Sequence, residues 1–583
     1  MRRTLAGLAA LALISGTGAC AGDPGDPAAG PGTKERSGTS DGGGATGGPG
    51  VKAGAGGCDA RTGRAFGAWA EAGFSGSIAV LTDGKPTCLA AYGPADDRGR
   101  PNTPGTVFDI GSITKAFTAA AVFRLIDKGR LALDDRAGDL LPALRGPVAA
   151  ATVRQLLLHE SGLTGTHAAD DAVVGKAAAI AAIGDLDVAF RPGTGHQYSN
   201  AGYTLLALIV DEVSGTGFRD HLAAEVLRLP GGKAVGGFWN GEPAAPGPRA
   251  LGVFDNGATG DPGGPAKGPH WAMDGNGGLA MTAGDLAQWT HTLFTGGLVT
   301  PASAKAIAAP GHDLGGGRSE TPGWVAASAE VFGEPFLAAA GGGGESAHNA
   351  MVAWVPGRRM AVAVLSNRPE VTAEDLLTTV GPALLTGRPL PVPKTAARPA
   401  KGEQAAIVGT YRLPTGGSFQ VSANARGPAV AAVGADAVAA LFPPGPEPGA
   451  DALRAHERAV LGLLAGRTKE GRKERAALRG TLGPIGGIVP AGTLRTGGEL
   501  RTYVRITAGG RQVTGWWSVG ERGGVSAAEV PSRPPVLRLV PAGDGYRPDD
   551  PAGNGPEVTV RFGGDRMTIA RGPGGTSVAE RSG

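Results

Sequence analysis

The chain has 583 residues, too many for one hydrophobic core, so two or three folding units are expected. Its formal net charge is +3 and it contains no long basic block, which argues against a role in binding nucleic acid. It contains 103 glycines and 45 prolines, and because much of this excess lies near the N-terminus, the remainder still has enough apolar residues to build cores.

The first twenty residues have the pattern of an export signal. Two arginines precede an apolar segment, residues 5–14, which is too short to span a bilayer. The sequence Thr-Gly-Ala-Cys at residues 17–20 resembles a bacterial lipobox, although Thr17 stands where an aliphatic residue is usual. We interpret residues 1–20 as a signal peptide with a lipobox. This interpretation favours a protein anchored to the outer face of a cell membrane through Cys20 over a secreted one.

Residues 21–57 are mostly Gly, Ala, Pro, Asp, Ser and Thr, a composition that cannot bury a core and is typical of a flexible tether. Two further cysteines follow, Cys58 and Cys88, on either side of an early helix and strand. They are either a disulfide, which an oxidising compartment permits, or two separate buried thiols.

Beyond the tether, strand patterns flank a long helical block. A helix is predicted over 62–72 and a strand from Phe74 into a hairpin at Asp83-Gly84. Helical patterns dominate from Ser112 to about residue 229, and strands return at 350–356 and 360–366. A sheet whose strands come from both sides of a helical block indicates an α+β fold.

The last third reads as a separate unit. Four prolines fall within residues 389–402, which we interpret as a linker. Beyond it, alternating patterns predict strands at 410–421, 500–519 and 536–540, with a charged helical patch at 451–478. We therefore predict one domain at 58–388 and a small β-rich domain at 403–583, in which we find no readable chemistry.

A serine and a lysine lie three residues apart at the start of the first long helix. An apolar residue recurs at every fourth position from Ile113 to Leu125, so Ser112 and Lys115 are predicted to share a face of a helix that ends near Lys128. A desolvated lysine amine can take the proton of a serine hydroxyl, which makes this pair a candidate nucleophile and base. On its own the spacing is weak evidence, because most such pairs are a helix cap and a solvated lysine.

Two later segments offer complementary groups. Tyr198 and Asn200 lie just before an apolar helix. A tyrosine beside a lysine can be held partly ionised and shuttle a proton, while an asparagine amide can orient the lysine and bind substrate. The alternative is a helix cap with a packed tyrosine. The run from Gly341 through Gly342 and Gly343 to Gly344 precedes a strand and is either a plain loop or a source of N–H groups for an oxyanion.

In this order the segments resemble the serine β-lactamase and penicillin-binding-protein family, especially class C β-lactamases, D-alanyl-D-alanine carboxypeptidases and related esterases. The resemblance covers residues 58–388. It is carried by the nucleophile segment Phe-Asp-Ile-Gly-Ser-Ile-Thr-Lys at 108–115 and by the segments at 152–163, 191–203, 275–286 and 352–367.

The resemblance implies a β-lactamase/transpeptidase-like antiparallel sheet flanked by helices, with a helical subdomain. It implies a serine hydrolase that forms an acyl-enzyme at Ser112, with Lys115 as general base or its partner and Tyr198 as proton shuttle. Asn200 would orient the lysine and bind a substrate amide. The substrate would be a D-alanyl-D-alanine-like peptide, a β-lactam or a short ester, and no cofactor or metal is implied.

The sequence departs from the family at the third motif. Relatives carry Lys-Thr-Gly or His-Thr-Gly on the strand before the Val352 region, and counting back from Trp354 places the cation at Gly341, with Ala340 as the next possibility. The N–H of Gly343 or Gly344 would still complete an oxyanion hole with that of Ser112. The alternative function is therefore a cell-wall peptide or β-lactam binding or sensor protein that has lost this motif.

Two histidines have competing interpretations. His159-Glu160 begins like a zinc-binding helix, but the residue four positions after the histidine is Leu163, so a structural turn is predicted and not a metal site. His348 lies on the same strand approach as the glycines, and its side chain could enter the site from a different position.

The lipobox interpretation predicts that a Cys20→Ser variant expressed in a bacterial host no longer incorporates labelled palmitate. Without the thiol no thioether to a diacylglycerol forms, and the protein moves out of the membrane fraction. A Cys88→Ser variant is the matched control and keeps the label. Equal labelling of the Cys20→Ser variant and the unmodified protein would contradict the interpretation.

Overall fold

The structure is a computed structural model of the chain. It describes residues 57–168, 170, 172–254, 259–260, 270–343, 346–394, 401–424, 427–444, 449–496, 499–520, 525–553, 555–572 and 575–582. Cys20 and Gly344, and all of the predicted tether except residue 57, lie outside these residues. Within them, no helix is both long and apolar enough to cross a membrane.

Up to residue 394, the described residues form eleven strands. Their bounds are β1 Gly76–Thr82, β2 Lys85–Tyr92, β3 Phe108–Asp109, β4 Gly237–Phe238, β5 Leu279–Met281, β6 Asp313–Gly315, β7 Arg318–Thr321, β8 Trp324–Ala327, β9 Phe336–Gly343, β10 His348–Val355 and β11 Met360–Ser366. Eight of them form an antiparallel sheet in the order β2-β1-β11-β10-β9-β8-β7-β6, and β3-β5-β4 form a small second sheet. Strands from both sides of the helical block thus meet in one sheet, and the α+β prediction is confirmed.

In the same described part of the chain, eleven α-helices accompany these strands. Their bounds are α1 Ala60–Glu71, α2 Thr114–Asp127, α3 Ala137–Leu140, α4 Val153–Leu157, α5 Lys176–Gly184, α6 Asn200–Ser214, α7 Phe218–Glu225, α8 Ala283–Phe294, α9 Pro301–Ala308, α10 Ala329–Phe332 and α11 Ala373–Thr386. One face of the large sheet packs against α1 and α11, and the other packs against a core that includes α2, α6 and α8. Because both faces are covered, strands such as β1 and β11 are buried along nearly their whole length and consist mostly of apolar residues.

Helix α2 is buried, as its apolar stripe predicted, and its burial extends beyond that stripe. Eleven of its fourteen residues are buried, so it is covered on nearly every side instead of presenting one apolar stripe. Ser112 lies directly before it, in a 3₁₀ turn at Gly111–Ile113, and thus at the start of the helix as predicted. On the other face of the sheet, Cys58, just before α1, is joined by a disulfide to Cys88 on β2.

The C-terminal domain is β-rich, as predicted, but is built from two assemblies. Its strands are β12 Gly409–Arg412, β13 Ser418–Asn424, β14 Gly427–Val433, β15 Ile485–Thr496, β16 Glu499–Ala508, β17 Arg511–Val519, β18 Val525–Ser532, β19 Val536–Ala542, β20 Gly545–Pro548, β21 Thr559–Gly563, β22 Arg566–Ala570 and β23 Thr576–Ser582. Strands β12–β14 and β19–β23 close into a barrel, while β15–β18 form a four-stranded sheet.

Among the described residues from 401 onward there are four α-helices, namely α12 Lys401–Ile407, α13 Ala435–Leu441, α14 Ala450–Leu464 and α15 Lys469–Leu482. Apolar residues of α14 and α15 pack on the four-stranded sheet around Trp517. The charged patch predicted at 451–478 is thus two helices. Lys473 of α15 forms an ion pair with Asp187 of the first domain, with Nζ 2.8 Å from Oδ2.

Candidate active site

The serine lies where a short strand turns into a buried helix. After β3, Gly111 takes a left-handed conformation with φ of +50°, and its N–H donates to Asp109 Oδ1 at 2.8 Å. A Cβ at Gly111 would lie 2.7 Å from the Gly342 nitrogen, so this turn requires glycine for two reasons. The turn places Ser112 at the start of α2, directly beside β9.

The predicted partners converge on the Ser112 hydroxyl. Lys115 Nζ donates to Ser112 Oγ at 3.0 Å, and Tyr198 OH donates to the same oxygen at 2.9 Å. The lysine nitrogen also lies 4.9 Å from the centre of the Tyr198 ring. Ser112 and Lys115 therefore form one hydrogen-bonded group with Tyr198, which lies 86 positions after the serine.

Burial sets the charge states in this group. Lys115 is 3% exposed, and burial lowers the pKa of its amine to about 7, with the carboxylates of Asp170 and Glu320 acting in the opposite direction. Burial raises the pKa of Tyr198, although its hydrogen bond to Ser112 acts the other way. The expectation that Tyr198 is partly ionised is therefore wrong, because its phenol stays protonated near neutral pH.

A backbone carbonyl that the sequence interpretation missed holds the lysine. Lys115 Nζ donates to the Asn276 carbonyl oxygen at 2.8 Å. The Asn276 amide in turn donates to Thr204 Oγ1 and to the Ala272 carbonyl, each at 2.8 Å. The Gly-Asn-Gly-Gly sequence at 275–278, which forms part of the family resemblance, was the signal that pointed to this loop.

A buried ion pair anchors the same loop. The Arg219 guanidinium donates two hydrogen bonds to the Asp274 carboxylate, from Nη2 to Oδ1 at 2.8 Å and from Nε to Oδ2 at 3.0 Å. The two side chains are 8% and 1% exposed. Two parallel hydrogen bonds fix orientation as well as distance, so this pair helps to hold the Asn276 carbonyl in position.

Asn200 is the first residue of α6 and is half-buried. The helix is capped by Ser199, whose Oγ accepts from the Gly202 N–H at 3.1 Å. Asn200 therefore lies at the same helix start as Tyr198, two residues further along the chain. Its predicted roles toward Lys115 and a substrate amide remain predictions.

The glycine run brings β9 against the nucleophile turn. Only residues 336–338 of β9 pair with β8, and the part of β9 beyond them reaches the turn. A Cβ at Gly341 would lie 2.1 Å from the Ile110 carbonyl oxygen and 2.6 Å from the Ser112 nitrogen. The prediction that Gly341 is the position of a lost cation is wrong, because no side chain fits there.

Successive side chains of β9 point to opposite faces of the sheet, which determines where the neighbours of Gly341 lie. Ala340 packs with the cluster on the α1 and α11 face of the sheet, so the second predicted cation position faces away from Ser112. Ala339 packs with the α2 core on the same face as Gly341. Of the predicted oxyanion donors, Gly343 ends β9 opposite His348 and Gly344 lies outside the described residues.

His159 and His348, the two histidines considered in the sequence, pack beside the site as neutral side chains. His159 Nδ1 accepts the Ser199 N–H at 3.1 Å, and its ring centre lies 4.4 Å from that of Tyr198. His348 Nδ1 accepts the Asp109 N–H at 3.2 Å, and burial lowers the pKa of His348 to about 3. His348 therefore supports the strand that leads to Ser112.

The steric requirement at Gly341 predicts that the Gly341→Ala variant loses about 1–3 kcal/mol of unfolding free energy, because its methyl group overlaps the backbone of the nucleophile turn. Chemical denaturation measures the loss. Gly487→Ala is the matched control, since a Cβ at this strand glycine has no atom within 4 Å. Equal stability of the two variants would contradict the close approach of β9.

The comparisons with known proteins agree with this fold. Penicillin-binding protein 4* of Bacillus subtilis (strain 168) is 26% identical over 377 residues, which cover 60% of this chain and 82% of that protein. Protein flp of Staphylococcus aureus (strain MW2) is 32% identical over 162 residues, covering 26% of this chain and about a third of the length of flp, 32%. The octameric penicillin-binding protein homologue from Pyrococcus abyssi has a similar fold, with a TM-score of 0.50 and 21% identity over 79% of this chain and 96% of that one.

The family model described as Beta-lactamase matches residues 67–383, more than half of the chain. This range contains the turn, the buried lysine, the tyrosine and the strand that meet at Ser112. The resemblance predicted from the sequence is therefore confirmed, and the chain belongs to the β-lactamase family of serine hydrolases, which includes the penicillin-binding proteins.

Proposed function

We propose that the protein is an exported serine hydrolase that forms an acyl-enzyme at Ser112. Its acyl donor is a D-alanyl-D-alanine-like peptide, a β-lactam or a short ester. The observation that carries this proposal is the contact of one hydroxyl oxygen, Ser112 Oγ, with both Lys115 Nζ and Tyr198 OH, at 3.0 and 2.9 Å. A merely structural serine would have no need of hydrogen bonds from both a buried lysine and a half-buried tyrosine.

In the first step, Lys115 acts as the base. With a pKa of about 7, a large share of its amine is neutral at physiological pH and can accept the Ser112 proton as Oγ attacks the acyl carbonyl. The new Oγ–C bond forms while the carbonyl electrons move onto oxygen. The tetrahedral intermediate then expels the leaving amine or alcohol.

Tyr198 carries the proton that the leaving group needs. Its protonated phenol touches Ser112 Oγ, so it can donate toward the departing atom and regain a proton from the Lys115 ammonium. In the second step water attacks the ester and passes its proton to Lys115 or through Tyr198. Ser112 Oγ is the second leaving group and recovers its proton, which completes the cycle. By family resemblance, Asn200 holds the substrate amide.

The oxyanion hole combines the Ser112 N–H with one N–H from β9. The Gly342 nitrogen lies against Gly111, next to the serine, which makes Gly342 a candidate beside the Gly343 of the sequence prediction. Two fixed N–H donors stabilise the charge that develops on the carbonyl oxygen without reorganising. Glycine at Gly341 allows this approach.

The binding or sensor alternative rests on the missing cation of the third motif. No side chain fits at Gly341, so the cation of a relative would project from a neighbouring position of the strand. The nearest upstream residue on the same face of the strand is Ala339, which supplies no cation for a substrate carboxylate. A short ester, which has no carboxylate to bind, therefore remains among the proposed substrates.

The proposal predicts covalent labelling of Ser112 by a fluorescent penicillin or a fluorophosphonate. The Ser112→Ala variant takes up no label, whereas the exposed control Ser422→Ala labels like the unmodified protein. Equal labelling of the Ser112→Ala variant would contradict the acyl-enzyme. Labelling without hydrolysis of nitrocefin, a nitrophenyl ester or a D-alanyl-D-alanine peptide would favour the binding protein.

The role of Lys115 predicts that the rate of acylation rises with pH, with a midpoint at about 7. The neutral amine is the active form, so the rate falls as pH drops below the midpoint and at pH 5 reaches about a hundredth of its plateau. Lys115→Arg should lower the plateau by about 10²–10⁴-fold, because arginine stays protonated. The exposed control Lys233→Arg keeps the original profile. A profile without this acidic limb would exclude Lys115 as the base.

A further inference from the structure

A second group of titratable side chains lies next to the residues around Ser112. The His159 ring, which packs on Tyr198, lies 6.0 Å from the His196 ring, and a Cβ at Gly323, three residues after Glu320, would lie 2.8 Å from the Lys115 carbonyl oxygen. His196 Nε2 lies 3.2 Å from Glu320 Oε2, and the two side chains are 14% and 9% exposed. The His196 ring stacks on that of His312, with centres 4.9 Å apart, and His312 Nδ1 lies 3.1 Å from Glu160 Oε1. Acylation as described above uses none of these residues.

Burying a carboxyl group so deeply is costly unless it has a partner. Burial raises the pKa of Glu320, while the hydrogen bond from His196 and the nearby charges of His196, His312 and Lys115 act to lower it. His196 is thus the direct hydrogen-bond partner that favours the ionised carboxylate. Among the described residues, no group of three or more such side chains has the arrangement of a metal site, so metal binding does not account for the cluster.

We propose that Glu320, held by His196, is a positioning residue that sets the pH at which Lys115 becomes a base. The proposal rests on the proposed acyl-enzyme function. A carboxylate near a buried amine stabilises the ammonium form, because the attraction between the two charges is weakly screened inside the protein. Without the Glu320 carboxylate, burial would leave the Lys115 amine largely neutral over a wider range of pH.

Several other ionisable groups interact with Lys115 or Glu320. Asp170 also favours the Lys115 ammonium and would remain if Glu320 were neutralised. The negative charge of Glu320 also disfavours ionisation of the phenols of Tyr198 and Tyr203. One carboxylate thus acts on both groups in the same direction, because it raises the pKa of the Lys115 amine and the pKa of the Tyr198 phenol.

The test compares the pH dependence of Ser112 acylation in the unmodified protein and in Glu320→Gln, which keeps the shape of the side chain and removes its charge. The acidic limb is expected to move to lower pH by about one unit, since the ammonium loses a stabilising charge while Asp170 remains. Glu330→Gln is the matched control, the same substitution at an exposed residue, and should leave the limb in place.

A His196→Leu variant provides the second arm. Without its donor, the Glu320 carboxyl group is expected to take up a proton, so the limb moves in the same direction. Adding the substitution to Glu320→Gln should then produce no further shift. A lower rate with an unmoved limb in both single variants would show a purely structural role and overturn the proposal.

Direct titration of Lys115 separates this proposal from the acyl-enzyme. The pKa of the amine is read from the pH-dependent NMR shift of labelled lysine, with the signal assigned by its loss in Lys115→Arg. A lower midpoint in Glu320→Gln supports the proposal even if Ser112 proves unreactive, in which case only the acyl-enzyme proposal fails. An unchanged midpoint in a protein that acylates normally overturns the role of Glu320 alone.

Discussion

Burial of the Lys115 amine is the constraint on which the rest of the site depends. The side chain projects from a helix that is covered on nearly every side, so its ammonium loses most of the water that would stabilise it. Removing a charge from water costs several kcal/mol unless partners replace the hydration. Here the replacement is partial, with one carbonyl, one hydroxyl, a ring face and carboxylates that act by charge. The result is an amine that titrates near neutral pH within hydrogen-bond distance of the hydroxyl it is proposed to deprotonate.

Two kinds of support keep this arrangement in place. The Arg219–Asp274 ion pair fixes the loop whose carbonyl binds the lysine, while glycines at 111 and 341 let two backbones approach more closely than any side chain would allow. The groups involved come from α2, the start of α6, the loop before β5 and strand β9. Because these elements share one core, a change far from Ser112 in sequence can still move an atom of the site.

The fold class and the reacting side chains could be predicted from the sequence because both leave local sequence patterns. Apolar strands before and after a helical block predicted the α+β sheet, and Ser112, Lys115 and Tyr198 were readable from motif order. The Asn276 carbonyl was missed because a backbone atom has no residue type to reveal it. Gly341 was misinterpreted because counting along a motif ignores which residue touches the nucleophile turn. The His196–Glu320 contact joins residues 124 positions apart and leaves no pattern. Strands β20–β23 were not predicted from the sequence because they are short and only partly apolar.

The most direct test of this account is an experimental structure of the protein after reaction with a β-lactam or a boronic acid. The account predicts a covalent bond to Ser112 Oγ, with Lys115 Nζ still within hydrogen-bond distance of that oxygen. An oxygen of the adduct should lie between the N–H of Ser112 and an N–H of Gly342 or Gly343. A covalent bond to another residue, or an adduct oxygen that points away from β9, would contradict the account.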